Sequence, residues 1–216
     1  KNNNMNILIT GCNGQLGNEL QLLEKNYSEH TFFNTDVHEL DITNAEAIDK
    51  FVSSNNIDII INCAAYTAVD KAESNKELCQ VLNADAPAYL AKAISKRNGW
   101  MIQVSTDYVF DGTKNTPYVE TDSPCPNSVY GSTKLDGEKA VEQACKNTMI
   151  IRTAWLYSSF GNNFVKTMMR LGKEKDELNV IFDQIGTPTY ARDLAIAIMT
   201  AVEKGIVPGI YHFSNE

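Results

Sequence analysis

Asn6-Ile7-Leu8-Ile9-Thr10-Gly11-Cys12-Asn13-Gly14-Gln15-Leu16-Gly17 is the stretch that decides how this chain folds. Asn6 to Thr10 is a short apolar run of the kind that is buried on both faces, so it reads as a first parallel strand. From Gln15 to Lys25 the period turns helical, with Leu16, Leu20 and Leu23 on one face. Between them lies G-x-x-G-x-x-G rather than the shorter G-x-G-x-x-G. Glycine allows the tight turn and the close approach of backbone to a pyrophosphate. Free N–H groups and the positive end of the helix would hold its charge. A glycine triplet alone is also an ordinary loop; the strand before it and the helix after it are the context a dinucleotide site requires.

Working outward, Phe32 to Thr35 reads as a second strand, and Asp36 ends it 19 residues beyond Gly17. An acidic side chain there accepts a hydrogen bond from the adenine ribose 2′-hydroxyl. It favours NAD, since it would repel the 2′-phosphate of NADP. The competing reading is that Asp36 caps a turn.

Two later segments add chemistry. Trp100 to Val104 reads as a buried strand with Ser105-Thr106-Asp107 at its carboxyl end, where ligands collect in open parallel sheets. A hydroxyl there can stabilise the charge that develops on a carbonyl oxygen, or merely terminate the strand. Tyr130 and Lys134 open a helix running through Ala144, and their spacing puts both on one face. A phenol has an unperturbed pKa of about 10, and the neighbouring ammonium is expected to lower it. On their own these two could be a surface pair. With Thr106 they describe hydride transfer to a ketone.

Longer segments extend the pattern: Asn62-Cys63-Ala64-Ala65-Tyr66-Thr67-Ala68-Val69-Asp70-Lys71-Ala72-Glu73, Val104 through Gly112, Tyr130 through Glu138, Gly161-Asn162-Asn163-Phe164 and Asp183-Gln184-Ile185-Gly186-Thr187-Pro188-Thr189. On these the chain resembles the extended short-chain dehydrogenase/reductases, and among them the dTDP-4-dehydrorhamnose reductases, from Met5 to its last residues. The resemblance implies NADPH- or NADH-dependent reduction of the C4 ketone of dTDP-4-dehydro-L-rhamnose. Tyr130 would protonate the oxygen, Lys134 would tune Tyr130 and orient the cofactor, and Thr106 would polarise the carbonyl. It implies cofactor contacts at Gly11, Gly14, Gln15, Leu16, Gly17, Asp36, Asp41, Ile42, Ala64, Ala65, Tyr66, Tyr130 and Lys134. Sugar contacts are implied at Thr106, Asp107 and Trp155, although a core tryptophan after Met149-Ile150-Ile151 is an equal reading of Trp155. Asn83 could help order the lysine, or serve a helix cap or kink. Similar sugar-nucleotide dehydratases carry an acidic base directly after the Thr-Asp pair; here that position is Tyr108, which favours simple ketone reduction. A related nucleotide-sugar reductase or epimerase, and a non-catalytic cofactor-binding regulatory subunit, are the rival functions.

Strands and helices alternate about seven times, which predicts an α/β fold with a Rossmann-like doubly wound parallel sheet. The organisation expected is a disordered tail at 1–4, a nucleotide-binding domain over 5–156, and a mixed segment over 157–216 that adds to the sheet and to a small substrate lobe. Inserts at 111–127 and 157–163 are expected to border the site. Gly209 to Glu216 reads as a strand, with more of the lobe expected beyond it.

With 216 residues and 43% hydrophobic content, the chain can bury a substantial core. The net charge of −8 argues against nucleic acid as a partner. No apolar run is long enough for a membrane span, and no secretory leader is recognised. Five cysteines without zinc spacing read as reduced thiols of a cytoplasmic protein, with Cys12 expected to be exposed when the cofactor site is empty. His30, His38 and His212 do not cluster in sequence, so no metal is expected. The resemblance allows a homodimer. A diphosphate substrate in an acidic chain needs local positive charge, for which Arg170, Lys173 and Arg192 are candidates, each also readable as part of a solvated helix face.

Overall fold

The computed structural model describes residues 4–181 and 183–216; most of the expected N-terminal tail, Lys1 to Asn3, lies outside the described residues. The apolar runs form the strands of one six-stranded, all-parallel sheet. They are β1 (Asn6–Thr10), β2 (Thr31–Thr35), β3 (Ile59–Asn62), β4 (Trp100–Thr106), β5 (Thr148–Thr153) and, at the far edge, Gly209–Phe213. Between β5 and that edge strand, two short strands, β6 (Leu156–Tyr157) and β7 (Thr189–Tyr190), pair separately. The edge strand is therefore β8. The order β2-β1-β3-β4-β5-β8 reverses direction between β1 and β3, and the crevice outside the carboxyl ends at such a point is where ligands bind in open α/β sheets.

Alternate residues of each strand face opposite layers. Ile7, Ile9, Ile59 and Ile61 pack under α1 (Gln15–Leu23) and under the late helix Ala191–Lys204. Leu8, Ile60 and Met101 pack under α2 (Ala45–Ser54), the helix Ala86–Ser95 and the long helix Val129–Ala144. In chain order the helices are α1, α2, α3 (Val69–Ala72), α4 (Lys76–Gln80), α5 (Ala86–Ser95), α6 (Val129–Ala144), α7 (Phe164–Glu174) and α8 (Ala191–Lys204). Asn44 and Ser128 cap α2 and α6 by accepting from the N–H three residues on. The chain does not pass straight from α4 to α5: Val81–Asp85 forms a π turn, a feature often found near functional sites.

The elements follow the sequence reading with local differences. The first helix ends at Leu23 and tightens into a 3₁₀ turn over Glu24–Asn26. β4 runs on through Ser105 and Thr106, so the reactive hydroxyl belongs to the strand itself. Residues 157–216 return to the same sheet through α8 and β8. Among the described residues, no helix is long and apolar enough to cross a membrane.

Candidate active site

The glycine turn is built by sterics. Gly11 has φ +67°, and a Cβ there would lie 2.7 Å from the Ala64 backbone, so β1 and the segment after β3 approach only because that atom is missing. Gly17 is pressed equally hard on the Cys12 backbone, 2.5 Å from a built Cβ. Gly14 then caps α1 without any side-chain acceptor, and no acidic residue occupies the first turn. The first N–H groups of α1 are left for an anion, which is what a pyrophosphate needs.

These elements open onto a cleft of about 1100 Å³ along the carboxyl ends of the strands. Of the residues expected to contact cofactor or sugar, Gly11, Gly14, Gln15, Leu16, Gly17, Asp36, Asp41, Ile42, Ala64, Ala65, Thr106, Asp107, Tyr130, Lys134 and Trp155 all line it. Tyr66 does not. Its backbone is clamped on both sides by Asn83, whose Oδ1 accepts from the Tyr66 N–H at 2.8 Å while its Nδ2 donates to the Tyr66 carbonyl at 3.1 Å. Asn83 sits in the π turn, and its amide also donates to the Thr133 hydroxyl on α6 at 3.2 Å. It thus ties the β3 exit to the helix that carries Tyr130 and Lys134, a role its sequence neighbourhood did not reveal.

Asp36 caps a turn, as one of its two readings had it, and it does so at the edge of the cleft. It lines the cleft, and its carboxylate also accepts from the Asn13 N–H in the glycine turn at 3.2 Å and from the Val37 N–H at 2.8 Å. Asp41 is held by the Thr43 hydroxyl and N–H, which lower its pKa.

On the opposite wall Thr106, Tyr130 and Lys134 converge, all buried. The Thr106 hydroxyl faces the Tyr130 phenol, donates to Asp107 Oδ1 at 3.0 Å and accepts from the Tyr108 N–H at 3.2 Å. The Lys134 Nζ donates to the Val104 carbonyl at 2.7 Å. That carbonyl also ends a buried polar row across the sheet. Thr10 donates to Asn62 (2.6 Å), Asn62 to Gln103 (2.8 Å), and Gln103 Nε2 to Val104 O (3.0 Å). Strands read as apolar therefore carry a hydrogen-bonded floor beneath the cleft, fully satisfied as buried polar groups must be.

The electrostatics correct one expectation. Lys134 does not pull the phenol down: burial pushes Tyr130 up to about 12, opposed only by the Thr106 hydroxyl. Burial also lowers the Lys134 ammonium to about 8, while Glu138 works against that fall. Asp107 is raised by burial as well. A phenol held high carries its proton throughout the neutral range, which suits a donor in ketone reduction.

Several other expectations are corrected. Cys12 is not exposed in the open cleft; it is 6% accessible and packs into the core under α1, with its thiol raised chiefly by burial. Trp155 is not a core residue: it is 44% exposed, lines the cleft with φ +47°, and has Gly186 against its ring. The 157–163 insert borders the cleft, where Asn163 Nδ2 donates to Gln15 Oε1 at 2.9 Å. The 111–127 loop does not line it. There Tyr118 stacks on Phe110 at 4.2 Å between ring centres, and the Tyr118 carbonyl and the Glu120 carboxylate hold His212 of β8. Of the basic candidates, none lines the cleft; Arg170 pairs with Glu174 and Arg192 with the fully buried Glu19. Folding also brings His30 beside Glu29 and Glu203, a grouping away from the cleft that the spacing of the histidines did not show.

The glycine turn, the Asp36 carboxylate at the cleft edge and the Thr-Tyr-Lys wall together define a nicotinamide-dependent oxidoreductase of the short-chain dehydrogenase/reductase kind. The chain belongs to the family described as the RmlD substrate binding domain, whose profile matches residues 5–216. It is 47% identical to a dTDP-4-dehydrorhamnose reductase of Escherichia coli K12 over 216 residues, covering 96% of this chain and 72% of that one. Among solved structures it is similar to a dTDP-4-dehydrorhamnose reductase of Clostridium acetobutylicum (46% identity, TM-score 0.95, 98% of this chain and 75% of that one). It is also similar to one of Bacillus anthracis in complex with NADP (43%, TM-score 0.94, 99% and 75%).

Proposed function

We propose that this protein reduces the C4 ketone of dTDP-4-dehydro-L-rhamnose to dTDP-L-rhamnose with NADPH or NADH. The observation that carries the reading is the convergence of Thr106, Tyr130 and Lys134 on one wall of a cleft whose other end is an open helix N-terminus.

The residues fit the cofactor. The N–H groups that begin α1 would hold the pyrophosphate, and Asp36 with Asp41 and Ile42 would border the adenosine half. When bound, the nicotinamide supplies the hydride. With its hydroxyl turned from Asp107 to the ketone oxygen, Thr106 polarises the carbonyl, and Tyr130 gives that oxygen its proton as charge develops. Lys134, fixed by Val104 O, is placed to orient the ribose hydroxyls. Trp155 offers a flat apolar face to the sugar or base. Holding both reactants in the cleft supplies several kcal/mol, roughly 7–11 at best. Tyr108 occupies the position where a dehydratase needs its base, and its ring packs edge-to-face with that of Tyr130, 5.5 Å between centres. Elimination of water has no carboxylate to start it there.

The reading places the protein among cytoplasmic enzymes of nucleotide-sugar synthesis, with five free cysteines in keeping, and with a homodimer as the assembly to look for. The test is incubation with dTDP-4-dehydro-L-rhamnose and reduced cofactor. Stoichiometric cofactor oxidation with dTDP-L-rhamnose as product is expected. Cofactor binding without turnover on this sugar would favour another nucleotide sugar or the regulatory reading.

A further inference from the structure

One helical turn past Lys134, on the same face of α6, lies Glu138, with 2% of its surface exposed. A carboxylate buried that deeply is costly unless fully paired. Here it accepts from Arg152 Nε at 2.9 Å and Nη2 at 2.6 Å, a two-pronged ion pair, and from the Ser105 hydroxyl. Ser105 and Arg152 are register partners on β4 and β5, one position before the Thr106–Thr153 pair. Arg152 is itself buried and lies over the Phe110 ring. Of these three, only Ser105 stood out in the sequence, as part of the hydroxyl-bearing end of β4.

We propose that Glu138 is a positioning residue of this site: held by Arg152 and Ser105, it anchors α6 to β4 and β5 and sets a fixed negative charge one helical turn from Lys134. The proposal rests on the reductase reading. Its physical content is simple. The carboxylate fixes where α6 sits against the strand that ends in Thr106, and so the placement of Tyr130 and Lys134 relative to that hydroxyl. It also supplies the negative charge that a buried ammonium needs.

The groups facing Lys134 leave few alternatives for that charge. From its own helix comes Glu138, from the end of β3 Cys63, and from α4 Cys79; Arg152 stands behind Glu138 on β5. Cys63 is kept protonated, with its thiol pushed up to about 12 by burial. Glu138 is the carboxylate among them. A pure packing role would be met by any pair of the right volume, whereas the charge role would not.

The test separates the two. Replacing a buried pair with uncharged residues of similar size is commonly tolerated, whereas removing one partner strands a charge. The variant is therefore Glu138→Gln combined with Arg152→Met, with Glu138→Gln alone as the second variant and Glu138→Asp as the conservative rescue. The primary readout is the titration midpoint of Lys134, followed by nuclear magnetic resonance on protein carrying isotope-labelled lysine and assigned with Lys134→Arg. It does not depend on turnover, so absence of reductase activity in the native chain would sink the functional reading while leaving this titration decisive. We expect the midpoint to fall by about one unit in Glu138→Gln, as for loss of an opposite charge one turn away. A smaller fall is expected in the paired variant, because Arg152→Met also removes the positive charge behind the carboxylate, and near-native behaviour in Glu138→Asp. Where turnover is measured, the alkaline limb of kcat/KM should move down by the same amount. A Lys134 midpoint unchanged in either folded variant overturns the proposal.

Discussion

The Lys134 ammonium donates to the Val104 carbonyl at 2.7 Å, and this bond joins the catalytic helix to the strand that presents Thr106. Lys134 is buried, yet it remains mostly charged at neutral pH because burial brings it down only to about 8. Lys134→Met should lower kcat/KM by about 10²–10⁴-fold, the range for a group assisting proton transfer. It should leave the thermal midpoint unchanged or higher, since a costly buried charge is gone. An activity assay alongside a melting curve checks both.

The same residue sets a pH dependence with a definite sign. As pH rises through about 8 the folded protein loses the Lys134 ammonium, and kcat/KM should fall. Stability should move the other way. The unfolded lysine, with a pKa of about 10.4, still binds its proton where the folded one does not. This group therefore adds stability as pH rises from about 8 towards the unfolded value. Higher still, Tyr130 opposes it, because its folded pKa of about 12 lies above the unfolded one and its contribution is lost as pH rises. Denaturation series at stepped pH on the native chain and Lys134→Met should show the first slope only in the former.

Gly11 should tolerate nothing larger. Gly11→Ala meets the Ala64 backbone at 2.7 Å with φ +67°, so it combines a backbone clash with a strained dihedral costing roughly 1–3 kcal/mol. Cofactor binding, followed by quenching of protein fluorescence, should weaken by at least about tenfold if the clash costs ~1.4 kcal/mol at the site. Unaltered binding would show that the turn does not carry the pyrophosphate.

Asp36 tests cofactor choice. Its carboxylate is already engaged by the Asn13 and Val37 N–H groups, which softens its repulsion of a 2′-phosphate and is consistent with use of either cofactor. Asp36→Asn should raise the ratio of NADPH to NADH efficiency by about tenfold, the size of one exposed charge-assisted contact. An unchanged ratio would place the ribose elsewhere.

Trp155 should matter to substrate more than to folding. With 44% of its surface exposed and its ring standing in the cleft, Trp155→Ala should raise the sugar-nucleotide KM by roughly fivefold, as for loss of one aromatic contact of about 1 kcal/mol. The melting temperature should change little. A large stability loss with normal KM would restore the core reading.

How much of this was legible in the chain follows from physics. β1, the glycine turn and α1 are local: an apolar run, missing side chains and a helical period are written in adjacent residues. Tyr130 and Lys134 were legible because four residues define one helix face. What was not legible depends on partners far away in sequence. Glu138 and Arg152 look like surface charges until β5 places one against the other. Asn83 needed the π turn, which shifts the helical register and has no simple pattern. The rise of the Tyr130 pKa followed from burial, which outweighs a neighbour that a spacing rule can identify. Cys12 likewise turned inward because Gly17 lets α1 close over it.

The most direct test of the account compares the native chain with Tyr130→Phe, measuring kcat/KM for dTDP-4-dehydro-L-rhamnose with saturating reduced cofactor. The variant removes one hydroxyl from a ring that is 9% exposed, so it should fold and bind cofactor normally while losing about 10²–10⁴-fold in kcat/KM. Equal rates in the two proteins would mean that the proton comes from elsewhere and that the Thr106–Tyr130–Lys134 wall is not the reducing site.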